Sequence, residues 1–172
     1  MTKENRVLMQ EAKNSFKGKW GIAVGTYLLY TVLTSAVHAI PGGGGLLGLV
    51  VSGPMALGIA MVSLDFSRGK IAKIEQIFEG FRNFSTSLGA YLLMVLYIIL
   101  WSLLLIVPGV IAAISYSMVF FIIADNSSTG IKEALEKSRA MMDGYKMKFF
   151  TLCLRFLGLS ILCILTLGIG FL

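Results

Sequence analysis

The side chains of this chain that could do chemistry are few, and three of them are consecutive hydroxyls. Ser115, Tyr116 and Ser117 lie within a long uncharged apolar run. Hydroxyl groups in such a run can contact a polar substrate, but they more often bond to their own helix backbone or to a neighbouring helix. The sequence leaves both interpretations open.

Arg155 is a lone charge in the apolar C-terminal part of the chain. A charge inside a membrane-crossing helix is a functional candidate, because placing it in lipid is costly. The alternative is that the guanidinium extends along the helix and reaches the lipid headgroups. No carboxylate lies in the apolar runs to pair with Arg155, which argues against a transporter that relays ions between carboxylates.

Two prolines lie at informative places in the apolar runs. Pro54 should kink a helix and free a backbone carbonyl. Such a kink either marks a binding site, as in many transporters, or serves packing. Pro108 is followed by Gly109, and this pair should break a helix.

A set of residues for catalysis or metal binding is not found in the sequence. His38 is the only histidine, and no phosphate-binding loop, carboxylate pair or paired nucleophile and base is present. We therefore expect neither enzymatic activity nor a cofactor.

The distribution of charge shows which elements must carry these residues. Every acidic residue, and every basic residue except Arg155, lies in segment 1–20, 65–82 or 125–148. A water-soluble domain needs charged residues on the outer face of each helix or strand. Only 14% of the residues are charged and 56% are hydrophobic, whereas about a quarter is charged in a typical globular chain. The chain is therefore predicted to be one integral membrane domain over 1–172.

The predicted fold is all-α, a polytopic helical membrane bundle with five visible spans. A helix needs about 20 apolar residues to cross the hydrocarbon layer, so each long uncharged run must fold back once, at Pro41–Gly45 and at Pro108–Gly109. The unpaired fifth span predicts a sixth in the full-length protein. The predicted spans are 20–40, 46–64, 88–107, 110–124 and 149–172.

Lysine and arginine occur in all three charged segments and in neither hairpin turn. The positive-inside rule then places the N-terminus and both long loops in the cytoplasm. The lysines and arginines should contact anionic lipid headgroups there. Because they alternate with apolar runs and form no single patch, we expect no nucleic-acid partner.

Each charged segment also has an amphipathic pattern. Helices are predicted at 4–17, 70–81 and 130–143, and the second should place Ile71, Ile74, Phe78 and Phe81 on one apolar face. Such a helix either packs under the bundle as a brace or offers a docking surface for a partner or for lipid.

Several motifs resemble those of a bacterial integral membrane family, the domain of unknown function 975. They include Ser52–Pro54, Gly80–Phe84, Leu100–Leu104 with Pro108–Gly109, Ser115–Ser117, Ala124 with Asp125 and Asn126, Met142–Lys146 and Leu165–Leu172. The resemblance extends over nearly the whole chain and implies a six-span protein of the bacterial cytoplasmic membrane. It implies no reaction, cofactor or substrate.

The expected function is that of a non-enzymatic scaffold or accessory module, with a membrane protein or a second copy of the chain as possible partner. The alternative is a small transporter or lipid-handling protein with a site among Pro54, the hydroxyls of Ser115–Ser117 and Arg155. A polar cavity at mid-membrane depth would favour the alternative, and a solid apolar core would favour the scaffold.

Overall fold

The computed structural model of the chain describes residues 5–15, 19–40 and 44–165. Those residues form helices and turns, and no β-strand occurs among them. In chain order the elements are α1 (Asn5–Ser15), α2 (Trp20–His38), α3 (Gly44–Ser67), α4 (Gln76–Glu79), a 3-10 turn (Gly80–Asn83), α5 (Phe84–Leu104), α6 (Ile106–Ser115), α7 (Val119–Asp125), α8 (Ile131–Met141) and α9 (Lys146–Leu165).

Four helical segments of the described chain are long and apolar enough to cross a membrane. They correspond to the first four predicted spans. The fifth predicted span, 149–172, overlaps α9, but its last residues lie outside the described part of the chain, so a fifth or sixth crossing stays a prediction. The four segments are Trp20–His38, Leu47–Ser67, Gln76–Leu104 and Ile106–Asp125.

The turn between α5 and α6 lies earlier in the chain than predicted. Leu105 ends α5 with an extended backbone, at φ −163° and ψ 147°, whereas the break was expected at Pro108–Gly109. Pro108 instead lies in the first turn of α6, where the backbone N–H groups have no helical partner and proline is tolerated. The predicted boundary between spans 88–107 and 110–124 is therefore wrong, because the turn lies at Leu105.

Helix α3 is the centre of the bundle. It packs against α2, α4, α5 and α7, and its inward side chains join a core to which α5, α6, α7 and α8 contribute. Apolar residues that are buried by other protein atoms, and not only by lipid, give the bundle its unique packing. The buried members of this core are Leu57, Ala60, Ala90, Ala112, Tyr116, Val119, Phe120, Ile123, Ala134 and Leu135.

Two glycines allow the segment after α3 to lie directly on the α3 backbone. A Cβ atom added to Gly58 would be 2.1 Å from the carbonyl oxygen of Ile77, and one added to Gly80 would be 1.9 Å from that of Pro54. Only glycine permits such a backbone approach. The middle of α3 is thus covered by Ile77 and Gly80, and Pro54 lies buried beneath them.

The predicted amphipathic helix at 70–81 is wrong in extent. Residues 70–75 are not helical, and the large side chain that the fold buries in this segment is Ile77, which is 0% exposed. The close backbone approach at Gly58 and Gly80 decides which side of this segment faces α3. Hydrophobic periodicity does not indicate such an approach. The expected face is exposed at Ile71, Ile74, Phe78 and Phe81.

Polar contacts join the charged segments at one end of the bundle. The Lys19 ammonium donates to the carbonyl oxygens of Gly69 and Lys70 at 3.1 and 3.0 Å. The Gln76 amide donates to the Asp65 carboxylate at 2.7 Å. These bonds connect the start of α2, the end of α3 and the start of α4, so charged residues distant in the chain share one end.

Candidate functional site

The segment Ile106–Asp125 is interrupted near its middle, at Tyr116–Met118 between α6 and α7. The interruption frees backbone groups that must find other partners, because unpaired buried groups are costly. Ser138 of α8 is the partner of two of these groups. Its hydroxyl donates to the Ser115 carbonyl oxygen at 2.8 Å and accepts the Met118 N–H at 3.2 Å.

Helix α8 is therefore fixed to the interrupted helix and does not lie free beside it. Ala134, Leu135 and Ser138 are buried against the bundle. The opposite side of α8 is exposed and carries Lys132, Glu133, Glu136 and Lys137.

The predicted hydroxyl cluster, Ser115–Ser117, lies at this interruption, but its three side chains make different contacts. The Ser115 hydroxyl donates to the Ile111 carbonyl oxygen and the Ser117 hydroxyl to that of Ile114, each at 2.8 Å. Tyr116 is nearly buried and stacks on Tyr97, with ring centroids 5.8 Å apart. Both serine hydroxyls thus bond to their own helix.

A cavity of about 270 Å³ opens beside α6, and we call it the basic cavity. It contains three of the residues singled out in the sequence, namely Pro108, Ser115 and Tyr116. Two cations that the sequence analysis did not select, Arg139 and Lys146, also reach it. The complete lining is Trp101, Pro108, Ile111, Ala112, Ser115, Tyr116, Arg139 and Lys146.

The basic cavity has an excess of positive charge. Lys146 is 4.0 Å from the Asp143 carboxylate, which is itself 85% exposed, so this pair is weak. Within the described ranges Arg139 has no ion-pair partner. On the far side of α8, by contrast, Lys137 binds Glu133 at 2.7 Å. That hydrogen bond and charge lower the pKa of Glu133.

Sequence reasoning missed Arg139 and Lys146 because each reads as an ordinary cation of a charged loop. Gly144 has a positive φ of 75°, which favours glycine and turns the chain between α8 and α9. This turn brings the two cations to one cavity. One feature of the sequence could have indicated Arg139, namely that it directly follows Ser138, a serine on the apolar side of α8.

The other predicted residues lie away from the basic cavity or support its walls. A Cβ added to Gly109 would be 2.0 Å from the Ser102 hydroxyl, so Gly109 holds α5 and α6 together. Pro54 packs under the 3-10 turn and does not line the basic cavity. Arg155 is exposed on α9, and no described residue pairs with it.

Asp125 and Asn126 shape the charged end of the bundle. Asp125 forms an exposed ion pair with Arg68, just after the end of α3. The Asn126 side chain accepts hydrogen bonds from the N–H and the hydroxyl of Ser128, at 3.1 and 2.6 Å. These two hydrogen bonds form a turn of the type that asparagine favours. The turn starts the loop that leads to α8.

A second cavity, of about 250 Å³, lies between α2 and α3 and is lined by Ala23, Thr26, Tyr27, Ile59, Val62, Ser63 and Phe66. The Thr26 hydroxyl is buried and has no hydrogen-bond partner within the described chain. The lining carries no charge.

The chain matches a protein-family model. A family model described as "Protein of unknown function (DUF975)" matches residues 1–115 and 103–172. No curated protein and no solved structure is significantly similar to the chain. Since the two matched ranges together extend over all 172 residues, the chain belongs to the DUF975 family of proteins of unknown function.

Proposed function

We propose that this protein is a non-enzymatic scaffold or accessory module of the bacterial cytoplasmic membrane. The observation that carries the proposal is the docking of α8. Ser138 fixes α8 to the interrupted helix through two hydrogen bonds, so the charged outer side of α8 is held rigidly. A rigid charged surface suits recognition of another protein, because little conformational entropy is lost on binding.

The solid packing around α3 also supports a scaffold. Met55 and Leu57 are 1% and 0% exposed, and the Ser115 and Ser117 hydroxyls are taken by their own backbone. A transport path through this part of the bundle would have to displace well-packed side chains, which is costly.

The proposed orientation places the charged end of the bundle in the cytoplasm, together with the N-terminus. Lys19, Arg68 and Lys70 meet at that end. The positive-inside rule favours it as the cytoplasmic side, where anionic headgroups add about 1 kcal/mol for each nearby cation.

A cysteine-labelling experiment tests the orientation. Cysteines placed at Lys73 and at Lys137, in a variant without the native Cys153 and Cys163, should resist a membrane-impermeant maleimide in intact cells. Both should react after the cells are opened. Labelling of either position from outside would reverse the proposed topology.

Photo-crosslinking tests the scaffold itself. A photoreactive residue at Glu136, on the exposed side of α8, should give discrete protein adducts in native membranes. The same residue at Leu157, which is 60% exposed on α9, is the matched control and should give mainly lipid adducts. Absence of protein adducts from Glu136 and from a second α8 position, Lys132, would contradict the scaffold.

A lipid-handling protein is the second candidate, and the basic cavity favours it. Cations beside apolar walls suit an amphiphile with an anionic head. The two candidates are compatible if the lipid is a permanent part of the scaffold.

A further inference from the structure

We propose that the basic cavity binds the phosphate group of an anionic phospholipid, with the first part of an acyl chain along its apolar wall. The proposal deepens the lipid-handling candidate and stands apart from the scaffold proposal, since it concerns a different side of α8.

The first argument is the charge at the cavity. The Arg139 guanidinium can donate two parallel hydrogen bonds to one phosphate group, and the Lys146 ammonium adds a point charge. Asp143 leaves most of this charge uncompensated, since its carboxylate is 4.0 Å from Lys146 and largely exposed. An anion is therefore the complementary ligand.

The second argument is the apolar part of the cavity lining. Pro108, Ile111 and Ala112 recur at helical spacing on α6, and their apolar side chains line the cavity. A free inorganic anion would leave this surface without a partner, whereas the acyl chain of a lipid would pack against it through van der Waals contacts. The pair of cations and the apolar wall together select an amphiphile.

The third argument is access from the bilayer. Val107 and Val110 of α6 are 68% and 42% exposed beside the cavity, and Ile111 in its lining is 46% exposed. Apolar surface of this kind on a membrane helix faces lipid. A phospholipid can therefore enter sideways, and a cavity of about 270 Å³ receives its head while the tails stay in the bilayer.

The fourth argument is that the tertiary fold assembles the site from separate elements. Arg139 directly follows Ser138, whose hydrogen bonds hold α8 against the interrupted helix. Lys146 opens α9 after the turn at Gly144. Trp101 comes from the end of α5, so four helices and the break at Tyr116 contribute.

The test uses the full chain in phosphatidylcholine nanodiscs that contain increasing fractions of phosphatidylglycerol. Lipids released in stages are counted by native mass spectrometry. The wild-type protein should retain one phosphatidylglycerol molecule after the others have left. The double variant Arg139→Gln/Lys146→Gln should bind this lipid at least about tenfold more weakly, because it loses two charge-assisted hydrogen-bonding groups.

The matched control is Lys132→Gln/Lys137→Gln, which removes the same charge from the exposed side of α8. It should retain the lipid at wild-type strength. Equal losses in both double variants would mean diffuse surface attraction and would overturn the proposal. Unchanged retention in Arg139→Gln/Lys146→Gln would overturn it as well.

Two further measurements keep the test decisive. Millimolar inorganic phosphate should not displace the retained lipid, and displacement would show a site for free phosphate and overturn the proposal.

If the charge variant fails to fold, Ile111→Trp fills the apolar part of the cavity while keeping both cations. It should lower retention, and normal retention would overturn the proposal. Neither result changes the crosslinks expected from Glu136, so the scaffold is tested separately.

Discussion

Helices α3 and α9 are built from the same apolar residue types, yet different surroundings cover them. In α3, Met55 and Leu57 are 1% and 0% exposed to the outside of the protein. In α9, Leu157 and Ile161 are 60% and 51% exposed. Helix α3 packs against five other α-helices, namely α1, α2, α4, α5 and α7, whereas among the described elements α9 packs mainly on α6.

The two helices show that removal from water and close packing against protein are separate requirements, although hydropathy does not distinguish them. An apolar helix must leave water, and either protein or lipid can meet that demand. Lipid tails are as apolar as leucine, so association inside a membrane depends on van der Waals packing and hydrogen bonds. Substitutions in and around α3 should therefore be costly, and equivalent substitutions on α9 should be nearly neutral.

Gly80→Ala should have the largest effect. Its new Cβ would collide with the Pro54 carbonyl oxygen and the Gly58 amide nitrogen of α3, which are backbone atoms that cannot turn away. We expect a loss of more than about 3 kcal/mol, or no folded protein. Gly158→Ala on α9 has open space around it and should express and melt as wild type does. Equal behaviour of the two variants in a thermal melt would refute the close packing.

Leu57→Ala compares protein packing with lipid packing directly. The substitution leaves a cavity in the core and should cost about 2–5 kcal/mol. Leu157→Ala, on an exposed part of α9, should cost less than about 1 kcal/mol, since it opens no cavity inside the protein. Unfolding in a reversible detergent titration measures both, and similar losses would remove the distinction between the two helices.

Ser138→Ala tests how α8 is held. The change leaves the Met118 N–H and the Ser115 carbonyl oxygen without this partner and should cost about 1–3 kcal/mol. Hydrogen exchange of the Met118 amide should accelerate. Ser160→Ala on α9 is the control, since its hydroxyl bonds only to the Phe156 carbonyl of its own helix. An unchanged Met118 exchange rate would show that α8 is held by packing alone.

Arg68→Ala should have the smallest effect. Arg68 and Asp125 are 46% and 55% exposed, so their ion pair should contribute at most about 1 kcal/mol and weaken with added salt. Arg155→Ala on α9 should change stability even less, because no described residue pairs with Arg155. A larger loss for Arg155 than for Arg68, with normal insertion, would point to a role beyond contact with headgroups.

The sequence predicted the helical class and five apolar spans, four of which correspond to candidate spans of the structure, because both depend on properties that add along the chain. The family was predicted from the resemblance of short motifs. Uncharged length identifies a membrane span, and the grouped charges of Lys19, Arg68 and Lys137 identify the loops. The helix predicted at 130–143 was close to α8 because its apolar residues recur at helical spacing. By contrast, the turn at Leu105 was missed, since Pro108 can begin a helix as well as end one.

The candidate site was predicted only in part. Pro108, Ser115 and Tyr116 line the basic cavity, but Pro54 and Arg155 do not, and Arg139 and Lys146 were not selected. Which cation of a charged loop turns toward the bundle depends on Gly144 and on the hydrogen bonds of Ser138, and these act between elements that are separate in the chain.

The sequence by itself determined that this chain belongs in lipid, because the cost of placing charge there scales with local composition. Only the tertiary structure decided which apolar side chains are buried inside the protein and which remain exposed, and which cations share a cavity. Those outcomes depend on close backbone approach, as at Gly58 and Gly80, and on the satisfaction of freed backbone groups at Tyr116–Met118. Both are relations between distant segments, which no local pattern of residues records.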